Sequence, residues 1–522
     1  MQLESYLAGS WVSGSDAGTP LHDPVTGAEL ARASGTGLDL AGALAYAREH
    51  GGPALRALSY GERGSLLRAV ADVLAAHRDA YRQIALENSG NTAGDAALDI
   101  DGGIGTLKYY AALGQGLGDA RWLVEPGSER LARDAAFQAV HLLTPLAGVA
   151  VHINAFNFPS WGLWEKAAVA WLAGLPVVTK PATVTALLAH AMVRDVVAAG
   201  VLPEGALTLV CGGGYELPDL LGPFDALAFT GSAATATALR GHPRLLAAGT
   251  RVNIEADSLN LGLLGPDATP DSAEFGLFVA EVVREMTVKA GQKCTAMRRL
   301  LVPRQQLDAV AEALTARLAA TVVGDPRDAA VAMGPLVSLA QQRAARDGIA
   351  RLRAGSERLY GDEATFAPRA ADPAAGCFVP PTLFRCADPD AARDVHEVEV
   401  FGPVATLLPY TDPAHAFALA ARGGGSLVAS VFSADDDFAQ DAAVALGPVH
   451  GRVLLVDQAV GASQTGHGVV MPQCVHGGPG RAGGGEELGG LRGLAFYHQR
   501  SAVQGRRDRL EALRDAASAQ GS

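Results

Sequence analysis

The sequence predicts an α/β protein built on two doubly wound parallel sheets. The chain has 522 residues, which is enough for two or three packed domains. Its 49% hydrophobic residues, 19% charged residues and 62 glycines are typical of a soluble α/β enzyme. From about residue 145 onward, short apolar runs alternate with helical patterns, as expected for repeated β-α-β units.

The first part of the chain is predicted to be mainly helical, and the first β-α-β series follows it. Residues 36 to 116 carry apolar residues at three- and four-residue spacing. The later helices are expected at 161–173, at 185–199 and near 233–248, between the apolar runs "GVAVHINA", "PVVTKPA", "ALTLVCGG", "ALAFTGS" and "RVNIEA". Such buried strands predict a parallel sheet that binds ligands at the carboxyl ends of its strands.

A second β-α-β series begins after Asp257 and predicts a second domain. Its strands are expected around 298–303, 404–410, 426–433 and 451–457, so a cleft should form where the two domains meet near residue 257. The glycine-rich stretch "HGGPGRAGGGEELGG" at 476–490 has two interpretations at this point. It is either a flexible loop or a backbone segment that passes close to a ligand.

Charge and composition argue against several classes of partner. The formal net charge of −13 opposes binding to nucleic acid or to an anionic membrane. The most apolar stretches are shorter than the roughly 20 residues that cross a bilayer, and the N-terminus lacks a signal-peptide pattern, so a cytoplasmic protein is expected. Five cysteines without a Cys-x-x-Cys pair, and no His at metal-ligand spacing, predict neither a disulfide framework nor a metal site.

The stretch "AGQKCTAMRR" (290–299) places Cys294 just beyond an amphipathic helix that includes Phe275, Phe278 and Met286. Gly291 supplies the expected stop signal of that helix. The negative end of a helix dipole raises a thiol pKa, so activation has to come from elsewhere. By itself such a position is more typical of a structural cysteine. The surrounding motifs are needed to decide between a structural and a catalytic role.

Those motifs resemble the NAD(P)-dependent aldehyde dehydrogenase family. "INAFNFPSW" with Asn157, "VVTKPA" with Lys180, "AFTGSA" (228–233), "VNIEADSLN" with Glu255 and "EVEVFGPV" with Glu399 occur in the family's order around Cys294. The resemblance extends from "YLAGSWVSG" near the N-terminus to "GEELGGLRGLAFYHQ" near the C-terminus. Each motif is weak alone, but six in the correct order are a specific pattern.

The resemblance implies an aldehyde dehydrogenase-like fold in which a small β element bridges the two α/β domains. A Rossmann-like cofactor-binding domain is expected at 1–125 and 147–256, and a catalytic domain at 257–467. The bridging and oligomerisation element should comprise 126–146 and 468–500, with a tail at 501–522. A homodimer is the expected assembly.

The family's chemistry assigns catalytic roles to particular residues. Cys294 is the expected nucleophile, which forms a thiohemiacetal and then a thioester. Asn157, which could otherwise be a simple turn residue, should steady the oxyanion together with the backbone N–H of the cysteine. Glu255 is the expected general base and should hold a proton near neutral pH. Glu487 is expected to be a second carboxylate near the water path, with Glu486 as the alternative in register.

The resemblance also indicates the cofactor. Many NAD-specific relatives carry a glutamate three residues after the lysine, whereas this chain has Thr183. A hydroxyl does not repel a 2′-phosphate as a carboxylate does, so NADP should be accepted and preferred, with NAD possible. The expected cofactor-binding residues are Lys180, Ala182, Thr183, Gly231, Ser232, Glu399 and Phe401.

Departures from the common motifs narrow the expected substrate. "QCVHGGPGRAGGGEELGG" differs from the usual late glycine motif and is similar to the semialdehyde dehydrogenases of aerobic CoA-dependent aromatic ring cleavage. This similarity implies oxidation of a CoA-linked aldehyde, 3,4-didehydroadipyl-CoA semialdehyde, to its acid. The oxepin-CoA-derived semialdehyde of phenylacetate degradation and a generic aldehyde remain alternatives. CoA-acylating acyl transfer and a non-catalytic binding protein are alternatives of other classes.

Overall fold

Two seven-stranded sheets form the framework of the chain. In the computed structural model, which describes residues 1–519, five parallel strands of the first sheet are followed by two antiparallel ones. The five parallel strands are hydrophobic and mostly buried, which fits a sheet covered on both faces. In spatial order the strands are Arg251–Glu255, Ala226–Thr230, Ala150–Ile153, Val177–Lys180, Leu207–Leu209, Ser5–Leu7 and Ser10–Val12.

The second seven-stranded sheet is parallel except at one edge, where its first strand runs antiparallel to its neighbour. In spatial order its strands are Glu357–Tyr360, Thr382–Arg385, Val404–Tyr410, Met297–Pro303, Asn260–Leu264, Ser426–Phe432 and His450–Val456. The four strands expected from the sequence in this half of the chain are all members of this sheet.

Three smaller sheets complete the β structure. One consists of Gln2–Leu3, Glu29–Ala33 and Thr19–His22, and a second pairs Val475–Gly477 with Glu486–Leu488. The third is antiparallel and consists of His498–Arg506, Phe137–Pro145, Leu123–Val124 and Glu129–Arg130.

The third sheet corrects one expected boundary. The strand His498–Arg506 pairs with Phe137–Pro145 along its whole length, so the bridging element does not end at residue 500. The helix Arg507–Ala519 follows directly, and 501–519 is therefore ordered secondary structure rather than a tail. Most side chains of this strand are exposed, and the alternating apolar pattern that marks a half-buried strand is absent.

The helices lie between the strands as the alternating pattern predicts, with one interruption. The expected helix near 233–248 is divided in two because Pro243 begins a new helix. Among residues 1–519, no helix is long and apolar enough to cross a membrane. The α-helices are Leu40–Tyr46, Gly52–Ala57, Tyr60–Ala76, Arg78–Ser89, Ala93–Leu117, Trp161–Ala173, Ala186–Ala199, Ala233–Arg240, Pro243–Ala248, Ala273–Thr287, Leu307–Ala319, Leu339–Gly355, Asp394–Glu397, Pro413–Ala421, Asp436–Leu446, Leu491–Leu494 and Arg507–Ala519.

The hydrophobic core is divided by the sheets. Successive residues of one strand point to opposite faces, so Ala150 and Val177 pack in one apolar cluster with Trp164. Val151 and Val178 pack in a different cluster on the other side. The first sheet is thus covered on both faces, as the sequence predicts.

The groove that contains the predicted site residues lies between opposite ends of the two sheets. Asn157 follows a strand of the first sheet, and Glu255 ends another, so both come from carboxyl ends. Cys294 and Glu399 instead precede strands of the second sheet and come from the amino-end side. All four residues line one groove. The second domain therefore contributes through loops that enter its strands.

The glycine-rich segment packs closely against protein backbone. A Cβ at Gly483 would lie 2.0 Å from the carbonyl oxygen of Ile254, and one at Gly485 would lie 2.4 Å from Oδ1 of Asn253. The Ala256 N–H also donates to the Ala482 carbonyl at 3.0 Å. The glycines therefore allow this segment to lie against the strand that ends in Glu255, which argues against a flexible loop; the contact is with protein backbone, and passage close to a ligand stays a prediction.

Candidate active site

A sharp turn brings Cys294 to the groove. The helix Ala273–Thr287 is followed by Lys289, Ala290 and Gly291 with φ of +53°, +51° and +67°. These left-handed values cost energy for side chains other than glycine and end the helix abruptly. At Gly291 a Cβ would lie 2.3 Å from the Gly402 carbonyl oxygen, so only glycine fits there.

Buried polar side chains fix the backbone around Cys294. The Asn260 amide donates to the carbonyl oxygens of Cys294 at 2.7 Å and Ala296 at 3.1 Å. The Arg298 guanidinium donates to the Gly291 carbonyl at 2.8 Å. Because these carbonyls have fixed partners, the loop holds the thiol in a defined position.

Three of the four predicted catalytic residues meet in one cavity of about 50 Å³. Cys294, Glu255 and Asn157 all line it. Glu487 does not, and instead lines an adjoining hollow. The other residues of the catalytic cavity are Ala155, Phe158, Trp161, Gly162, Glu165, Lys166, Thr230, Thr295, Gly468, Val470 and His476.

Glu255 lies in a buried ion pair. Its side chain is almost completely buried, its Oε2 is 3.2 Å from Nε2 of His476, and the Thr230 hydroxyl donates to Oε2 at 3.4 Å. Burial alone would raise the pKa of Glu255, but His476 and Lys166 lower it to about 2. The expectation that Glu255 holds a proton near neutral pH is therefore wrong for the resting site, because His476 stabilises the carboxylate.

Lys166 connects the catalytic cavity with the adjoining hollow. Its Nζ lies 3.4 Å from Oε1 of Glu165 and 3.1 Å from Oε2 of Glu487. The Asn253 amide donates to Oε1 of Glu487 at 3.1 Å, whereas Glu486 is exposed. Glu487 is thus the inward carboxylate of the pair. Glu487 is connected to the catalytic cavity by its contact with Lys166, which lines that cavity.

Glu165 is the carboxylate that titrates near neutral pH. Burial raises its pKa to about 7, although Lys166 opposes this change. Both Glu165 and Lys166 lie on the otherwise apolar helix Trp161–Ala173 and line the catalytic cavity. Two adjacent charges inside an apolar helix are a detectable signal in the sequence, although neither residue belongs to the motifs that indicate the site.

His476 is a second residue that the sequence analysis did not identify. It lies on the short strand Val475–Gly477, directly opposite Glu487 on the paired strand. Burial by itself lowers the pKa of His476, but Glu255 more than offsets this and raises it. No spacing pattern in the sequence connects His476 with residues more than 180 positions away.

Six of the seven predicted cofactor residues line a groove of about 500 Å³ that opens beside Cys294. They are Lys180, Ala182, Gly231, Ser232, Glu399 and Phe401. Thr183 lines a neighbouring hollow, which shares Gly214 and Tyr215 with the groove.

The groove has the chemical features of a dinucleotide site. Ser232 caps the helix Ala233–Arg240 at the groove, so backbone N–H groups and the positive helix end are available to a pyrophosphate. The cationic side chain of Lys180 lines the same space, and Gly231 adds no side chain there. These residues fit an anionic nucleotide with phosphates at the helix terminus.

Glu399, which also lines the groove, lies beside Asp257. Burial and the neighbouring Asp257 raise the pKa of Glu399 well above its ordinary value, while Arg298 and Arg481 oppose this. A carboxyl group of this kind can exchange hydrogen bonds with sugar hydroxyls.

The sequence matches the aldehyde dehydrogenase family over residues 11–503, which is most of the chain. The chain belongs to this family. It is therefore an oxidoreductase, and the family uses NAD or NADP. Solved structures agree in fold: betaine aldehyde dehydrogenase from Staphylococcus aureus in complex with NAD⁺ is 25% identical, with a TM-score of 0.82 over 96% of this chain and 95% of that chain.

Two other relatives are informative. 3,4-Dehydroadipyl-CoA semialdehyde dehydrogenase from Aromatoleum evansii is 54% identical over 92% of this chain and 93% of its own length. The structure of PnpE from Pseudomonas sp. WBC-3 is 25% identical, covers 97% of both chains and has a TM-score of 0.82. The first similarity supports the branch expected from the late glycine motif.

The surroundings of the Cys294 thiol favour its protonated form. Burial raises the pKa of Cys294 well above its ordinary value, and the Glu255 carboxylate raises it further. The direction agrees with the expectation from the helix end, but the cause is burial among carboxylates rather than the helix dipole.

This arrangement predicts how Cys294 reacts with iodoacetamide. A raised pKa leaves little thiolate near neutral pH, so alkylation should be slow there and should rise steadily into the alkaline range. Removing the Glu255 charge in Glu255→Gln should move the curve to lower pH and speed alkylation at about pH 7 by about tenfold. Mass spectrometry of the Cys294 peptide measures both rates.

Exposed Cys474 in the same digest is the internal control for reagent activity. Its labelling should not differ between the wild type and Glu255→Gln. Fast Cys294 labelling at neutral pH in the wild type would contradict the raised pKa.

Proposed function

We propose that this enzyme oxidises a CoA-thioester-linked semialdehyde to the carboxylic acid with NADP, through covalent intermediates on Cys294. The observation that carries this proposal is the meeting of Cys294, Glu255 and Asn157 in one small cavity beside the cofactor groove. The 54% identical relative, which is named for such a substrate, supports the substrate class.

In the first step the Cys294 thiol donates its hydrogen bond to Glu255, which is ionised and can accept the proton. The thiolate then attacks the aldehyde carbon to form a thiohemiacetal. The Asn157 amide and the backbone N–H of Cys294 stabilise the oxyanion, and one such donor is worth about 3 kcal/mol. NADP held in the groove lined by Lys180, Ser232 and Glu399 would supply the hydride acceptor for conversion of this adduct to a thioester.

Hydrolysis of the thioester consumes one water and releases the acid and the free thiol. Glu255 is the base for that water once it has lost the first proton. Glu165 lines the same cavity and titrates at about 7, so it can take over the proton. Lys166 then connects Glu165 with Glu487 and the adjoining hollow.

A Glu255→Gln variant should separate the two steps. Without the Glu255 charge the Cys294 thiol should lose its proton to solvent more readily, which replaces proton acceptance by Glu255 in the first step, so the acyl-enzyme should still form and give a burst of about one NADPH per active site. The following steady state should be slower than in the wild type by about 10²–10⁴-fold, because the base is missing. Stopped-flow absorbance of NADPH measures both phases.

Glu486→Gln is the matched control, since Glu486 is the exposed neighbour of the inward carboxylate. It should leave the burst and the steady state unchanged. A Glu255→Gln steady state equal to that of the wild type would contradict the role of Glu255 as base.

The substrate proposal is tested by NADP reduction with aldehydes that range from short free aldehydes to CoA-linked semialdehydes. We expect kcat/KM to be at least about 100-fold higher for a CoA-linked semialdehyde, equivalent to about 2.8 kcal/mol. Cys294→Ala should lose activity with every member. A preference for short free aldehydes would overturn the substrate while leaving the reaction class intact.

Two alternatives of other classes make different predictions in the same assay. A CoA-acylating enzyme would require free CoA for turnover, and the presence of Glu255 in the cavity argues against it. A non-catalytic binding protein would form no NADPH with any aldehyde.

The preference for NADP rests on Thr183 and Lys180. Thr183 lines the hollow next to the groove. Its hydroxyl leaves space for a 2′-phosphate and does not repel the phosphate charge. Asp16 and Glu216 line the same hollow, and the Ser34 and Thr36 hydroxyls donate to Asp16 and lower its pKa, so its charge disfavours a phosphate beside it. Thr183 is therefore the position at which charge can be varied cleanly.

Thr183→Glu should lower kcat/KM for NADP by at least about tenfold, equivalent to about 1.4 kcal/mol, because its carboxylate repels the 2′-phosphate. Thr183→Gln has nearly the same shape without the charge and is the matched control. Steady-state kinetics with NADP and with NAD give kcat/KM for each cofactor in the wild type and in both variants. A wild-type preference for NAD would overturn the proposal.

We also propose a homodimer in the cytoplasm. His450–Val456 is an edge strand of the second sheet, and the antiparallel arm His498–Arg506 is largely exposed, so both are available to a second copy. All five cysteines are free, which fits a reducing compartment.

A further inference from the structure

We propose that Glu255, Cys294 and His476 form a binding site for Zn²⁺, and that occupancy of this site blocks the enzyme. The candidate ligand atoms of the three residues all lie within 4.8 Å of one another. They come from the end of a first-sheet strand, from the loop before a second-sheet strand and from the short strand Val475–Gly477. The fold thus assembles a cluster that spacing in the sequence does not reveal.

The donor set suits zinc. Thiolate, imidazole and carboxylate are its usual ligands, at about 2.3, 2.0 and 2.1 Å from the ion. Two nitrogen or oxygen ligands of a tetrahedral ion lie about 3.3 Å apart. Nε2 of His476 and Oε2 of Glu255 are already 3.2 Å apart. A sulfur ligand should lie about 3.5 Å from the other two ligand atoms of such an ion. The Cys294 sulfur is at most 4.8 Å from them and so has to approach by up to about 1.3 Å.

The surroundings favour a cation at this place. Glu255 is 3% exposed, and its Oε1 is buried without a hydrogen-bond partner among residues 1–519. An ion bound through both carboxylate oxygens would give Oε1 a partner as well as Oε2. Glu165 and Glu487 add two carboxylates nearby, against the single ammonium of Lys166. The cluster therefore has an excess of negative charge when the thiol ionises.

Three protein ligands leave the fourth position of a tetrahedral ion open toward the cavity lined by Asn157 and Trp161. That cavity is where the aldehyde should bind. A sulfur held by zinc cannot attack a carbonyl, so the expected consequence is reversible inhibition. Hard ions such as Mg²⁺ and Ca²⁺ prefer sets of oxygen ligands and should not bind here.

Cobalt reports directly on such a site, because a thiolate bound to four-coordinate Co²⁺ gives charge-transfer and d–d absorption bands. The test titrates Co²⁺ into the full-length, reduced, metal-free protein without substrate or cofactor. We expect both bands to saturate at about one equivalent per chain and to disappear when Zn²⁺ is added. Mg²⁺ in excess should leave them unchanged.

Variants decide whether all three residues hold the ion. Cys294→Ser should abolish the charge-transfer band, and His476→Phe should weaken binding at least about tenfold, equivalent to about 1.4 kcal/mol. Cys474→Ser, which removes an exposed thiol outside the cluster, should bind as the wild type does. Unchanged Co²⁺ affinity in His476→Phe, or loss of the bands in Cys474→Ser, would overturn the site.

The proposal that zinc inhibits the enzyme rests on the proposed function. The proposal that zinc binds to Glu255, Cys294 and His476 does not. Zn²⁺ should stop NADPH formation by the wild type, a chelator should restore it, and any activity left in His476→Phe should require more Zn²⁺ for inhibition. Cobalt bands in a protein that oxidises no aldehyde would keep the metal site and overturn the proposed reaction. An active enzyme without cobalt bands would overturn the metal site alone.

Discussion

The buried contact between the Glu255 carboxylate and the His476 imidazole sets the state of the whole site. Without a cationic neighbour, a carboxyl group this deeply buried would be neutral at physiological pH. His476 reverses that preference and keeps Glu255 charged beside the thiol. Burial and then the charged carboxylate both raise the pKa of Cys294, so the ion pair influences the protonation of Cys294 as well as that of Glu255.

The contact also divides acid–base work among three carboxylates. The pKa of Glu255 is low, so it stays ionised beside the thiol, whereas burial raises the pKa of Glu165 to about 7 and makes it the carboxylate that holds a proton more readily. Burying several charges costs desolvation free energy. Here Lys166 offsets that cost because its ammonium lies between the carboxylates of Glu165 and Glu487. The helix Trp161–Ala173 presents two of these charged groups from an otherwise apolar surface. Its packing in the core of the first sheet fixes where they point.

The sequence predicts what depends on local patterns and misses what depends on packing. The buried apolar strands and the helix Trp161–Ala173 have clear periodicity, and the structure confirms the parallel sheets. Cys294, Asn157 and Glu255 could be selected because family-like motifs surround them. His476 could not be selected, because only the pairing of Val475–Gly477 with Glu486–Leu488 brings it to the site.

Two further differences between the predicted and the observed structure also depend on packing between distant segments. The strand His498–Arg506 has most of its side chains in solvent, so its end is set by pairing with Phe137–Pro145 and not by a pattern of its own. The glycines of 476–490 are explained by the approach of one backbone to another, a contact that composition alone cannot distinguish from looseness. In both places the deciding partner is distant in sequence.

A thiol with a raised pKa is at first sight a poor choice for a nucleophile. Only the thiolate attacks a carbonyl, and the thiolate is also the form that oxidants consume. A thiolate of high pKa is, however, intrinsically more nucleophilic than one of low pKa. In the proposed mechanism, Glu255 lies within hydrogen-bond reach of Cys294, so the thiol can remain protonated until a substrate binds and then lose its proton to this neighbour. The site therefore limits the resting population of thiolate while retaining its reactivity, which suits an enzyme whose nucleophile faces an open groove.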